Sequence, residues 1–234
     1  MRPPEYRFST EDSRGWPLHI KEEVTIADID QLSTLPVTDE RAKAFWETAR
    51  GWLSDVSYYD RVQRISSPKE ILRCRLPVAD VKRMQDHNLC RKLRPGEVPM
   101  GTVDLFPVAE PSKIPPRRRR IGHTVTINRA LDKSSLQKLS QPSRRQQLRQ
   151  ALDGEFCISL DFSAYFDAFE VQENIQMFYC FRVGEDVFCL TRLPMGQRQS
   201  VEVAQGATNV LLSFDHLGAT SQSCIDNVRF VGKS

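Results

Sequence analysis

The chain has 234 residues, of which 40% are hydrophobic and 27% charged. These are the proportions of an ordinary folded protein, with room for one large domain or two small ones. No apolar run approaches the roughly 20 residues of a membrane span, and the N-terminal MRPPEYRFSTEDSRGW lacks the apolar core of a secretory signal, so neither membrane association nor secretion is expected. The net charge is only +3, but between Lys113 and Arg149 every charged residue except Asp132 is positive. Such a field suits a polyanion partner, although a charge run is also compatible with a solvated segment. The cysteines at 74, 90, 157, 180, 189 and 224 form no CxxC pair. They read as reduced core residues of a nuclear or cytoplasmic protein.

In chain order, residues 1 to about 36 lack periodicity and read as an irregular arm. Thr38 is the expected N-cap of a helix whose apolar face is Ala42, Phe45, Trp46, Ala49, Trp52 and Leu53. A second helix is expected over Pro77 to Leu93, closed by the Arg94-Pro95-Gly96 turn. Val103 to Ala109 reads as a strand interrupted at Pro107, and Glu110 to Pro116 as a stiff extended linker. Arg117 to Arg120 then lead into an alternating strand over Ile121 to Asn128. His123 within it reads as a packed residue rather than a ligand.

Leu131 to Ala151 is basic and partly helical by pattern, with Leu136, Leu139, Leu148 and Leu152 as a thin stripe. Phe156 to Asp161 alternates as a buried strand that ends in a carboxylate, although so short a run is also compatible with a buried helix segment. Asn174 to Val183 and Val187 to Leu193 read as strands joined by a short Gly184-Glu185-Asp186 loop. Pro194-Met195-Gly196 breaks the second of them. A helix from Ser200 to Phe214 follows, with Val203, Ala207, Val210, Leu211 and Phe214 on one side. Ser223 to Val231 is a strand, an Asp-Asn corner and a return strand.

Asp161 at one strand end and Asp226 at the later corner are hard oxygen ligands of the kind that suits magnesium. Asp161 alone also reads as a cap of the next turn. LDFSAYFDAF, LPMGQRQSVEVAQ and CIDNVRFVG resemble the three palm motifs of reverse transcriptases, in order, and RRRRIGHTVTIN resembles their fingers hairpin. Together they resemble the enzymes of the VIPER-type retroelements of trypanosomatids, in the tyrosine-recombinase group. The resemblance covers about Val103 to Gly232.

The resemblance implies an α/β palm-and-fingers fold, with an antiparallel sheet packed on helices. It divides the chain into an N-terminal helical extension (1–100), a fingers-like basic segment (101–150) and a partial palm (151–234). It implies an RNA-directed DNA polymerase acting on an RNA or DNA template-primer and a deoxynucleoside triphosphate. Two Mg2+ ions, or Mn2+, would be held by Asp161, Asp226 and the Phe162 carbonyl. Phe166 would exclude a ribose 2′-hydroxyl, and Met195 and Gly196 would lie against the nucleotide. Arg119 and Lys113 would meet the triphosphate, Arg117, Arg118 and Arg120 would meet nucleic acid, and Gln205 would be structural.

Two features depart from the pattern. Asn227 replaces the second aspartate of the third motif, which removes one negative charge, and Cys224 stands where an aromatic is usual. No thumb or ribonuclease H region follows the third motif, so the expectation is a part of a longer polyprotein with little polymerase activity alone. The alternative is a degenerate, non-catalytic nucleic-acid-binding fragment.

Overall fold

A computed structural model describes residues 13–59, 70–131, 136–137, 143–213 and 219–232, without the side chain at 125. Leu139 and Phe214 of the expected apolar stripes lie outside the described residues. The arm read as irregular contains a short helix, α1 (Ile29–Thr34), capped by Asp28, whose carboxylate accepts from Gln31 N. Helix α2 (Glu40–Ala49) buries Ala42, Trp46 and Ala49, as its helical spacing requires. Its cap is Asp39, which accepts from Arg41 N and Ala42 N. Thr38, the expected cap, donates its hydroxyl to the Ser213 carbonyl at 2.6 Å instead. Helix α3 (Gly51–Ser54) and a 3-10 turn (Val56–Tyr59) follow.

The second expected helix is shorter than its pattern. Helix α4 (Val78–Asp86) ends before Asn88, which adopts φ +54°. Cys90–Lys92 then forms strand β1 because Leu190, Cys189 and Phe188 offer it an antiparallel partner. Strands β2 (Asp104–Glu110) and β3 (Arg117–His123) form a hairpin in register from Asp104↔His123 to Glu110↔Arg117. Two corrections follow. Pro107 does not interrupt β2, since a two-stranded ribbon tolerates an imino residue at an edge, and 111–116 is a hairpin connection rather than part of an extended linker over 110–116.

The arginines open the strand, Ile121 to His123 continue it as expected, and the later part of the expected strand becomes helix α5 (Val125–Ala130). Ile127 and Leu131, four apart and both buried, define its inner face. His123 is exposed at the end of β3, not packed. Helix α6 (Arg144–Asp153) starts with a Ser143–Gln146 capping box.

Strand β4 (Phe156–Asp161) forms as expected, but all six of its residues are exposed. It is the edge of a sheet ordered β4-β8-β7, built with β7 (Thr220–Cys224) and β8 (Asn227–Gly232). Alternation correctly marked the strand, but its burial depended on what packs over it. A 3-10 turn (Tyr165–Ala168) follows it. Asn174 to Tyr179 is not strand. Helix α7 (Glu173–Gln176) and a further turn carry Ile175, Phe178 and Tyr179 into the core, and β5 (Cys180–Val183) starts only afterwards. β5 pairs with β6 (Asp186–Leu190), which also pairs with β1. Helix α8 (Arg198–Leu211) closes the core and begins two residues before the expected start.

One continuous apolar cluster runs through Leu18, Trp46, Trp52, Met84, Phe178 and Val203, so no break in the core falls near residue 100. Trp52 donates its indole N–H to buried Glu202 at 3.2 Å, and the Tyr59 and Tyr179 hydroxyls meet at 2.7 Å. Cys74, Cys90, Cys180 and Cys189 are buried, whereas Cys157 is exposed and Cys224 half-buried, against the expectation that all are core residues. Among the described residues no helix is long and apolar enough to cross a membrane.

Candidate active site

The antiparallel pairing of β4 with β8 sets Asp161 opposite Asn227. One step further along, Phe162 N donates to the Asp226 carbonyl at 2.8 Å. The ladder therefore extends one rung past the strands and leaves the two acids on neighbouring chains at one end of the sheet. Asp161 and Asp226 line the same cavity.

The corner that presents Asp226 is unusual. Ile225 adopts φ +59°, a region that a β-branched residue avoids. Helix α8 holds it there. Ile225 N donates to Gln205 Oε1 at 2.8 Å, and the Thr208 hydroxyl donates to the Ile225 carbonyl at 2.7 Å. Gln205 Nε2 also donates to Ser223 Oγ at 2.8 Å. Gln205 thus has the structural role expected of it. Tyr165, whose hydroxyl is 2.8 Å from Thr208 Oγ1, has its pKa pushed up to about 12, chiefly by burial. Its ring stacks on Phe162 with centroids 4.7 Å apart.

Phe162, Phe166 and Met195 line the cavity with the two acids. Phe166 is half-buried and packs on the core, so it is held rather than free. Gly196 is not part of that lining. At φ +107° it turns onto β3, where an added Cβ would lie 3.1 Å from the Gly122 carbonyl. The loop is fixed by Asn128, which donates to the Gly196 carbonyl at 2.8 Å and accepts from Arg198 N at 3.0 Å.

The basic side of the cavity comes from β3 and the loop before it. Lys113, Arg117, Arg119 and Arg120 all line it. Arg117 and Arg119 each pair with Glu110 at 2.7 Å, and Arg120 pairs with Asp167. Burial acts to raise the Glu110 pKa, but the Arg117 hydrogen bond and the charges of Arg119, Arg117 and Lys113 outweigh it and hold it low. Arg118 is the exception. It is 5% exposed, pairs with Asp80 at 2.8 Å and donates from Nε to the Trp16 carbonyl at 2.7 Å. Its expected contact with nucleic acid is therefore corrected to a structural one.

Sequence reasoning missed His19 and Lys21 from the arm, along with Asp167 and Arg192, all of which line the cavity. The signal for the first two is the alternation of Leu18 and Ile20 around them. Asp161 and Asp226 are the carboxylates able to hold a cation here. Asn227 contributes an amide that donates to Asp226 Oδ1 at 3.2 Å. Among the described residues no group of three or more His, Cys, Asp or Glu side chains could hold a metal ion.

No family model matches the chain, and no curated protein matches it. Solved structures do. The crystal structure of the prototype foamy virus protease-reverse transcriptase superposes with a TM-score of 0.52 at 13% identity, over 92% of this chain and 31% of that one. A foamy viral protease-reverse transcriptase in complex with double-stranded DNA gives 0.55 at 12% identity, over 92% and 40%. The chain thus spans less than half the length of either structure. At these identities the likeness concerns architecture alone: mixed helices and antiparallel sheets arranged in a reverse transcriptase-like fold.

Proposed function

We propose that this chain is the fingers-and-palm part of a retrotransposon reverse transcriptase of the VIPER kind. It would transfer nucleotides from deoxynucleoside triphosphates to a primer 3′-hydroxyl on an RNA or DNA template. On this reading 101–150 corresponds to fingers and 151–234 to palm, while 1–100 supports both through the shared core. One observation carries the reading: Asp161, at the end of β4, and Asp226, at the β7–β8 corner, share a single cavity with Phe166, Met195, Lys113 and Arg119.

The donor set fits magnesium. That ion keeps several waters and takes one or two protein carboxylates together with substrate phosphates, and two aspartates with the Phe162 carbonyl match this need. Mn2+ is an alternative for the same oxygens. When bound, a pair of such ions lowers the pKa of the attacking hydroxyl and neutralises the leaving pyrophosphate. The protein's own groups position the reactants. Phe166, packed against the core, would block a ribose 2′-hydroxyl. Lys113 and Arg119 would meet the triphosphate, and Met195 would lie against the nucleotide. The ion pairs of Arg117, Arg119 and Arg120 keep those side chains in place at the cavity wall.

The test is binding of a fluorescent dATP analogue to the full chain, with and without Mg2+. We expect Mg2+-dependent binding that is lost in Asp161→Ala and Asp226→Ala. Wild-type chain that binds no dATP with Mg2+ refutes the reading. Asn227 favours a second reading, a nucleic-acid-binding fragment without catalysis, because an amide is a weaker cation ligand than a carboxylate. That reading predicts salt-sensitive RNA binding unchanged by Asp161→Ala.

A further inference from the structure

The N-terminal arm reaches the cavity by adding itself to the free edge of β3. Arg118 N donates to the Pro17 carbonyl at 2.9 Å, and His19 N donates to the Arg118 carbonyl at 2.6 Å. Leu18 and Arg118 form a parallel bridge. In this extended pairing alternate side chains face opposite ways. Leu18 and Ile20 are 1% and 8% exposed and belong to the core. Their neighbours His19 and Lys21 consequently line the cavity that contains Asp161 and Asp226. His19 Nδ1 lies 3.1 Å from Arg117 Nη1, which fixes the arm to the basic wall.

The charges on that wall differ in availability. Glu110 is shared by Arg117 and Arg119, Arg120 is matched by Asp167, and Arg192 is matched by Glu170 at 3.0 Å. Among the described residues, Lys21 and Lys113 have no ion-pair partner, and both are exposed. Glu110 offsets one of its two arginines, so each lysine adds a positive charge that the wall does not neutralise. An ammonium on a flexible stem is a point-charge donor suited to phosphate oxygens.

We propose that Lys21 is a binding residue for the polyphosphate end of the nucleotide, acting with Lys113 and the arginines of β3. The proposal rests on the nucleotide reading above. It makes the arm a wall of the site. The ligand class is a polyphosphate in its magnesium-bound form, and the nucleoside end lies toward Phe166 and Met195.

The test uses the full chain with Mg2+ and three probes: dATP, inorganic tripolyphosphate and deoxyadenosine. Lys21→Ala and Lys21→Gln should each raise the Kd for dATP and for tripolyphosphate by about tenfold, the effect of one lost charged hydrogen bond. Lys21→Arg should stay within about threefold of wild type, and none of the three should change deoxyadenosine binding. Thermal melts should coincide with wild type, since Lys21 is exposed. If the wild type binds dATP and loses it on Asp161→Ala, but both neutral variants bind triphosphates as tightly as wild type, the role of Lys21 is overturned and the nucleotide reading stands. Equal loss in Lys21→Arg and Lys21→Ala overturns the charge argument. No Mg2+-dependent binding by the wild type overturns both readings.

Discussion

Replacing Arg118 tests whether the arginine run serves the ligand or the fold. The side chains of Arg118 and Asp80 are 6% and 9% exposed, with Nη2 and Oδ2 2.8 Å apart. Truncating one member leaves the other charge buried without its partner, which costs roughly 3–5 kcal/mol. The Trp16 carbonyl also loses its bond from Arg118 Nε, worth about 1 kcal/mol. At roughly 2–4 °C per kcal/mol for a chain of this size, the Tm of Arg118→Ala should fall by roughly 8–24 °C. The double variant Asp80→Leu/Arg118→Met removes both charges and should recover most of that loss. Urea titration followed by tryptophan fluorescence measures the difference, because Trp46 and Trp52 are both buried. Below its melting range Arg118→Ala should bind RNA as wild type does, whereas Arg117→Ala should bind it more weakly. The reasoning is refuted if Arg118→Ala loses less than about 1 kcal/mol while weakening RNA binding as much as Arg117→Ala.

Three further outcomes are expected. Burial pushes Glu202 up to about 7, despite hydrogen bonds from Trp52 and Gln137 that act to lower it. The folded chain therefore holds a proton that the unfolded chain has released, so this group makes stability fall as pH rises from about 4.5 to about 7. Glu202→Gln should flatten that part of the urea-midpoint-versus-pH curve, and an unchanged slope counts against the assignment. Gly196→Ala should lose about 1–3 kcal/mol, since it combines φ +107° with a Cβ 3.1 Å from the Gly122 carbonyl. A melt indistinguishable from wild type would show that the loop relaxes freely. In native chain a thiol reagent should modify Cys157 first and Cys224 more slowly, leaving Cys74, Cys90, Cys180 and Cys189 until urea is added. Mass spectrometry of the labelled peptides reads the order, and early labelling of Cys90 would contradict its burial.

The elements legible in the sequence are those whose own periodicity decides their structure. Helix α2 carries an apolar face that only a 3.6-residue repeat explains, and the β7–β8 corner announces itself between two alternating runs. The acids were legible because both stand at strand ends. What failed depended on partners distant in sequence. Cys90–Lys92 has no strand signal of its own and is a strand only because β6 offers an open edge. Phe156, Ile158 and Leu160 alternate as core residues would, yet they are 46%, 52% and 52% exposed because no described element covers them. The arginine run was misassigned by a displaced strand. With the strand set at 121–128, all four arginines precede it and look equivalent. With the strand at Arg117–His123, parity separates Arg118, on Asp80, from Arg117 and Arg119, on Glu110.

The same dependence on distant partners governs the two acids. Asp161 is positioned by the β4–β8 ladder itself, but Asp226 follows a residue in a conformation that its own sequence disfavours. The Ile225 corner keeps its shape through Gln205 and Thr208, so the position of Asp226 is inherited from α8. Helix α8 in turn rests on the N-terminal helices. Gly206 lets Phe45 and Ala49 of α2 approach so closely that an added Cβ would meet them at 3.2–3.3 Å. The Thr38 hydroxyl ties the start of α2 to the Ser213 carbonyl just beyond α8, and Trp52 reaches Glu202 within it. The residues that no motif covers therefore support the helix that sets one of the two carboxylates. A substitution that separates α2 from α8 should disturb the Asp226 corner before it disturbs the β4 strand.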